Sequence, residues 1–336
     1  MDLSTTYLGL SLRNPLVASA SPLSHTVDGV RRLARSGVAA VVMHSLFEEE
    51  LVEEAERHTA LAEAGSESFA ESLSYFPEVA GFDAGGLRYL SVLERAASTA
   101  EVPVIGSLNG VTAGGWARYA RQMQDAGAAA IELNIYSAPA GVDSSGREIE
   151  QRHTDVVALV KSVVTVPVAV KLSPFYSSVG EMALRFEEAG ADALVLFNRF
   201  LHPDINPEAL AVVPGIGLSC SREGRLARTW LAILRRHLRT DLAASTGVEG
   251  PDDVVRYLLA GADVVMTTSA LLRHGPQHAD ALLDGLVAWM ARRGFEDLRQ
   301  FRGMLAVPRE VDQAGHERAG YVVALRAANA TSSGPW

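Results

Sequence analysis

The chain has 336 residues, is 48% hydrophobic and 21% charged, and carries a formal net charge of -10. That composition supports a large buried core and argues against disorder. The acidic balance argues against a broad nucleic-acid surface, although one phosphate group can still be held locally by backbone N–H groups. A lone cysteine, Cys220, excludes an internal disulfide and a thiolate metal cluster, so no metal site is expected.

The N-terminal stretch MDLSTTYLGLSLRNP lacks a basic region followed by an apolar one, and the apolar run 163–172 is too short to span a bilayer and contains Lys171. A soluble, cytoplasmic protein with no membrane contact is therefore expected. In chain order, Thr5–Leu12 around Gly9 reads as a hairpin able to plug a barrel bottom. Eight β-branched runs follow, near 15–19, 38–43, 102–107, 130–135, 167–172, 192–197, 241–245 and 263–267. Each precedes a helical stretch, near 26–36, 89–100, 114–126, 150–164, 178–189, 222–239, 251–260 and 278–292. An additional helix is predicted over 47–64.

Junctions such as EEAGADALVLFN (187–198) and LAGADVVMTTS (259–269) place glycine just past a helix, where a left-handed residue ends it at low cost. The valine-rich runs that follow lack alternation, as strands covered on both faces do. Eight βα units without a proline- or serine-rich linker predict one α/β domain, a (β/α)8 TIM barrel, over 1–328, with a frayed tail at 329–336. Residues 294–328 read as helix packed outside the repeat. The long insertion 46–88 reads as a lid, a surface decoration or an oligomer contact; its acidic run EEELVEEAE reads as a solvated helix face.

In such a barrel the C-terminal strand ends carry the chemistry. Here they offer Ser19 and Ala20; His44 and Ser45; Ser107 and Asn109; Asn134 and Ser137; Lys171; Asn198; Thr246 and Gly247; Thr268 and Ser269. Amides and hydroxyls of this kind hydrogen-bond a flat polar heterocycle, and they lack the grouped His, Asp and Glu of a metal hydrolase. STGVEGPDD (245–253) and MTTSALLRHGP (266–276) follow strands seven and eight, where this fold commonly holds a phosphate; helix capping alone would also explain them. Lys171 in VAVKLSP requires a partner or a polar ligand if it faces inward.

These motifs are similar to those of the FMN-dependent barrel type of dihydroorotate dehydrogenase. The chain resembles that family from about Leu8 to Arg302, and the flavin domain of dihydropyrimidine dehydrogenase more loosely. The resemblance is carried by NPLVASASP (14–22), ELNIYSAP (132–139), VKLSP (170–174), GLS (217–219), STGV (245–248) and TTSAL (267–271). It implies an FMN-dependent oxidoreductase acting on CH–CH groups. Lys171 would contact the flavin and steady its reduced charge, and Ser137 would stand at the general base. Ser19, Ala20, Ser45, Asn109, Asn134, Gly217, Ser219, Thr246, Gly247, Thr268 and Ser269 would surround FMN. His44, Tyr75, Phe76, Asn134 and Asn198 would face the substrate.

The chain departs from the pattern at several places. His44 replaces a lysine, SYFPEVA (74–80) replaces an asparagine-bearing substrate segment, Pro139 or a neighbour replaces an asparagine, and Thr246-Gly247 replaces a glycine pair. The resemblance thus supports FMN binding but not dihydroorotate as the substrate, and a small polar, heterocyclic or related substrate is expected; without an iron–sulfur cysteine set or a membrane anchor a soluble electron acceptor is expected, and a homodimer is the default. A non-catalytic flavin-binding barrel, and a flavin-free barrel binding a sugar phosphate, remain alternatives at this point.

Overall fold

In the computed structural model the described residues are 1–49, 84–135, 143–199, 203–213, 215, 217–311 and 313–330. A β-hairpin opens the chain, β1 (Thr5–Tyr7) paired antiparallel with β2 (Leu10–Leu12). Eight parallel strands then close on themselves: β3 (Leu16–Ala18), β4 (Ala40–Val42), β6 (Val104–Asn109), β7 (Ala130–Asn134), β8 (Val168–Lys171), β9 (Ala193–Leu196), β12 (Asp241–Ala244) and β13 (Val264–Thr267). The β13–β3 and β4–β6 pairings complete the ring. The short β5 (Leu46–Phe47) extends the edge beside the end of β6.

The helices return the chain outside: α1 (Val27–Arg35), α2 (Ala84–Thr99), α3 (Ala113–Asp125), α4 (Gly146–Val163), α5 (Val179–Glu188), α6 (Gly224–Leu234), α7 (Pro251–Ala260), α8 (Ser269–His274) and α9 (His278–Arg293). Hydroxyl caps start α1, α3, α4 and α5; Thr26, Thr112, Ser145 and Ser178 each accept the N–H three residues on. Gly190 and Gly261, at φ +98° and +117°, make the left-handed turns expected at the Ala-Gly-Ala-Asp junctions.

Two buried layers follow from the strand period of two. In β7, Ile131 and Leu133 face the helices, whereas Ala130 lies in the inner layer. Tyr7, Leu8 and Leu12 of the hairpin join that inner layer with Ala130, Ala169 and Ala243. The hairpin thus plugs the barrel floor. Small alanines in the wall leave room for the Tyr7 ring, and the Leu8 N–H donates to Asp241 Oδ2 at 2.7 Å.

Several expectations are corrected. The helix expected from residue 47 starts one residue later, because Phe47 pairs with Asn109 in β5; most of 47–64 lies outside the described residues. Glu48 is buried rather than solvated. Its carboxylate accepts from the Val111 and Thr112 N–H groups and the Thr112 hydroxyl, at 2.6, 2.9 and 2.7 Å. The helix expected at 222–239 is shorter, and the last helix, α10 (Gln313–Ala330), begins well past 294 and reaches beyond 328. An exposed hairpin follows barrel strand six, β10 (Asp204–Asn206) with β11 (Ala211–Val213). No alternation signals it, and its turn is set by Asn206 Oδ1, which accepts from the Glu208 and Ala209 N–H groups.

Candidate active site

The strand ends converge on one hydrogen-bonded row. Asn198, just past β9, donates through Nδ2 to Asn134 Oδ1 at 2.6 Å. Asn134 Nδ2 lies 3.5 Å from Ser45 Oγ, and Ser45 and Ser107 share a hydroxyl–hydroxyl bond of 2.8 Å. Side chains following four strands thus meet in a line across the mouth. The row fits the odd–even geometry: Asn134 ends β7 on the face that carries Ala130 inward, and Ser107 sits buried in β6. Tyr89 of α2 clamps the Ser107 backbone from behind; its hydroxyl receives the Ser107 N–H at 3.1 Å.

Lys171 stands beside this row, paired in register with Asn134. Its Nζ donates to Glu132 Oε1 at 3.1 Å and to Ser19 Oγ at 3.3 Å. The lysine and glutamate side chains are 8% and 1% exposed, so the inward orientation is decided. An ammonium has three donors, and these two bonds account for the acceptors it meets among the described residues.

The loops after β12 and β13 meet a third segment, 217–220. The Ser219 N–H and hydroxyl both donate to Ser269 Oγ at 3.0 Å, and the Gly247 N–H donates to Ser219 Oγ at 3.1 Å. Thr268 Oγ1 donates to the Ser19 carbonyl, tying this corner to barrel strand one. Thr268 does not cap α8 with its side chain, so the first-turn N–H groups of that helix keep their capacity for an anion. Gly247, at φ +67°, has no room for a Cβ, which would approach Gly224 N to 2.6 Å and Cys220 O to 2.7 Å. Thr246 also has positive φ, +76°, unusual for a β-branched residue. Its hydroxyl donates to the Phe197 carbonyl, and its own carbonyl accepts from Tyr257. These two bonds hold the strained turn in place.

The remaining expected residues fall around this centre. Asn109 is buried at the end of β6, Ala20 packs on the inner layer, and the Gly217 carbonyl accepts from Arg199 Nε at 3.0 Å. A cavity of about 200 Å³ opens beside the row, lined by Phe175, Asn198, Arg199, Glu223 and Thr246 among others. Another, of about 720 Å³, lies at the opposite end around Leu8 and Asp241, remote from these side chains. Ser137, Tyr75 and Phe76 lie outside the described residues. No group of three His, Cys, Asp or Glu side chains able to hold a metal occurs among the described residues.

His44 is half-buried, its ring 3.8 Å from that of His25 and 4.9 Å from Tyr89. Nδ1 lies 3.4 Å from the Ser24 carbonyl, which can only accept, so Nδ1 carries the proton and Nε2 the lone pair. Burial, with the neighbouring His25, lowers its pKa to about 4. His153, buried on α4 against Tyr176, is lowered to about 4 chiefly by burial as well. Both are neutral at pH 7. Between pH 6.5 and 4 the unfolded chain binds more protons at these sites than the folded one, so stability falls as pH falls through that window. Melting temperatures from pH 7 to 4 are expected to drop less steeply in the His44→Gln/His153→Gln variant; an unchanged slope refutes this assignment.

Sequence reading missed Glu132 and Tyr89. Glu132 carried a legible signal, a carboxylate two residues before Asn134 in an otherwise apolar strand, which places both on one face. Tyr89 carried none, since an aromatic on an amphipathic helix reads as core.

The match to known proteins is extensive. The family model described as Dihydroorotate dehydrogenase matches residues 2–290. The chain belongs to the dihydroorotate dehydrogenase family. It is 27% identical over 321 residues to the dihydroorotate dehydrogenase B (NAD(+)) catalytic subunit of Methanothermobacter thermautotrophicus, covering 90% of this chain and 98% of that protein. The catalytic subunit of the same name from Methanosarcina acetivorans is 30% identical over 307 residues, 88% of this chain and 94% of its own length. The NAD-dependent dihydropyrimidine dehydrogenase subunit PreA of Escherichia coli K12 is 23% identical over 319 residues, 90% and 76% of the two chains. The protein is thus an oxidoreductase of dihydroorotate dehydrogenase type, acting on CH–CH groups, in a family that is generally flavin-dependent. No helix among the described residues is long and apolar enough to cross a membrane.

Proposed function

We propose that this family member, with residues 1–328 as its working unit, holds FMN at the barrel mouth and dehydrogenates a small polar heterocycle other than dihydroorotate. The observation that carries the reading is the meeting of three features at one end of the barrel. These are the Asn198–Asn134–Ser45–Ser107 row, the buried Lys171, and the Ser219–Ser269–Gly247 corner with its uncapped helix start.

The donor set suits FMN. Gly247, Ser219, Thr268 and Ser269 would take the phosphate, since the first-turn N–H groups of α8 lack a side-chain cap and the Ser269 hydroxyl, which accepts from Ser219, keeps its own proton to donate. Lys171, Ser19, Ala20, Ser45, Asn109, Asn134, Thr246 and Gly217 would border the rest of the cofactor. FMN, when bound, would supply the acceptor for a hydride from the substrate carbon. Lys171 contributes a donor fixed by Glu132 and Ser19, so it needs no reorganisation as charge develops. Asn134 and Asn198 orient the substrate ring through the amide groups left over from their mutual bond. Ser137 takes the proton from carbon, a step assigned through the resemblance. A neutral His44 at a lysine position removes a cation that a carboxylated ring would use, and favours an uncharged heterocycle.

The working form is proposed as a cytoplasmic homodimer that passes electrons to a soluble acceptor. The purified protein is expected to be yellow or to become so with FMN, and its flavin to be reduced anaerobically by a cyclic amide but not by dihydroorotate. A protein that cannot be loaded with FMN sinks the reading and favours the sugar-phosphate alternative. Flavin that no dihydropyrimidine-like compound reduces favours a non-catalytic flavin barrel. A Ser137→Ala variant with an undiminished rate of flavin reduction removes that residue from the mechanism.

A further inference from the structure

Glu132 is the most deeply buried carboxylate next to the proposed cofactor position. It lies in the middle of β7, on the inward face between Ala130 and Asn134, and is 1% exposed. Oε1 accepts from Lys171 Nζ, but Oε2 is buried with no hydrogen-bond partner among the described residues. The Tyr7 hydroxyl, rising from the floor plug, is likewise buried and unpartnered. Burial, and after it the Glu132 charge, raises the Tyr7 hydroxyl well above its usual value, which places the two in one interior. A carboxylate half-satisfied in such a place is costly, and a purely structural role for it is poorly served by that geometry. An alanine at position 132 would match Ala130, Ala169 and Ala243 of the same inner layer.

We infer that Glu132 is a positioning residue that sets the charge Lys171 presents to the flavin, neutralising the ammonium from below so that the bound cofactor meets a fixed dipole rather than a full positive charge. The inference rests on the FMN reading and deepens it. A lone cation at that position would over-stabilise the reduced, negatively charged flavin and make the enzyme reluctant to pass electrons on. Pairing it with a buried anion returns the site to net neutrality and keeps the Nζ–H directions locked by two acceptors, Glu132 Oε1 and Ser19 Oγ. The effect is long-ranged in a water-poor interior, where a unit charge is weakly screened.

The test is the two-electron reduction potential of bound FMN, titrated against a reference dye at pH 7. Glu132→Gln keeps the shape and removes the charge. Its flavin is expected to be easier to reduce by ten- to a hundredfold in equilibrium constant, about 30 to 60 mV. Lys171→Met is expected to shift the other way, and the double variant to lie between the two, near wild type. A Glu132→Gln potential equal to or below that of wild type overturns the inference. Failure of the FMN reading shows separately, as wild-type protein that takes up no flavin. In that event the pair is read in the flavin-free protein by urea denaturation. There Lys171→Met and Glu132→Gln are each expected to destabilise, and the double variant to lose clearly less than their sum; additive losses overturn the pairing.

Discussion

Lys171→Ala is expected to slow anaerobic flavin reduction by about a hundredfold, the scale for losing one preorganised electrostatic contact in a water-excluded site. It is also expected to weaken FMN binding. Two effects combine. The variant removes the ammonium that borders the proposed cofactor position, and it strands Glu132, whose carboxylate is then buried with neither oxygen paired to a cation. Breaking a buried pair from one side costs about 3–5 kcal/mol. Stopped-flow reduction and fluorescence titration of FMN measure the first effect, and thermal denaturation of the flavin-free variant measures the second. Wild-type affinity together with wild-type reduction rate would refute the role given to Lys171.

The second large effect is expected at the other end of the barrel. Asp263, just before β13, is 3% exposed. Its Oδ2 accepts from Arg235 Nη1 at 2.7 Å and from the Leu242 N–H at 2.8 Å, and its Oδ1 from Arg302 Nη1 at 3.2 Å. Its backbone carbonyl accepts from the Thr5 hydroxyl of the plug at 3.1 Å. One carboxylate therefore ties α6, strand seven and the C-terminal segment to the floor. Asp263→Ala leaves two largely buried guanidiniums without their shared counter-charge, and is expected to cost about 3–5 kcal/mol and several degrees of melting temperature. FMN affinity of the folded variant is expected to stay at the wild-type level, because the network sits at the N-terminal ends of the strands. A loss of flavin affinity without loss of stability would contradict this division between stabilising floor and functional mouth.

The barrel itself was written locally. The Ala-Gly-Ala-Asp junctions, the hydroxyl caps and the unalternating valine runs each report on a few neighbouring residues, and the strand and helix positions follow from them to within a few residues. Lys171 was also legible, because a charge inside an apolar strand announces that something must receive it. Strand ends in a closed barrel all face one mouth, so Asn134, Asn198, Ser45 and Ser19 could be gathered into one site from order alone.

What the sequence could not state is which of those groups bond to one another. Asn134 and Asn198 are 64 residues apart, and Lys171 and Ser19 are 152 apart. Their pairing depends on the stagger of strands around the ring, which no local pattern encodes. The same limit hid Glu48, whose acidic run reads as solvated until the fold brings it onto the exposed N–H groups of Val111 and Thr112. It hid the neutral state of His44, which is set by burial and by the His25 ring. Composition, periodicity and strand-end chemistry determined the barrel, a mouth lined by amides and hydroxyls, and a lysine in an apolar strand that called for a partner. Only the tertiary structure decided that this lysine is neutralised by Glu132, because charge balance in a buried site depends on distances through space and not on separation along the chain.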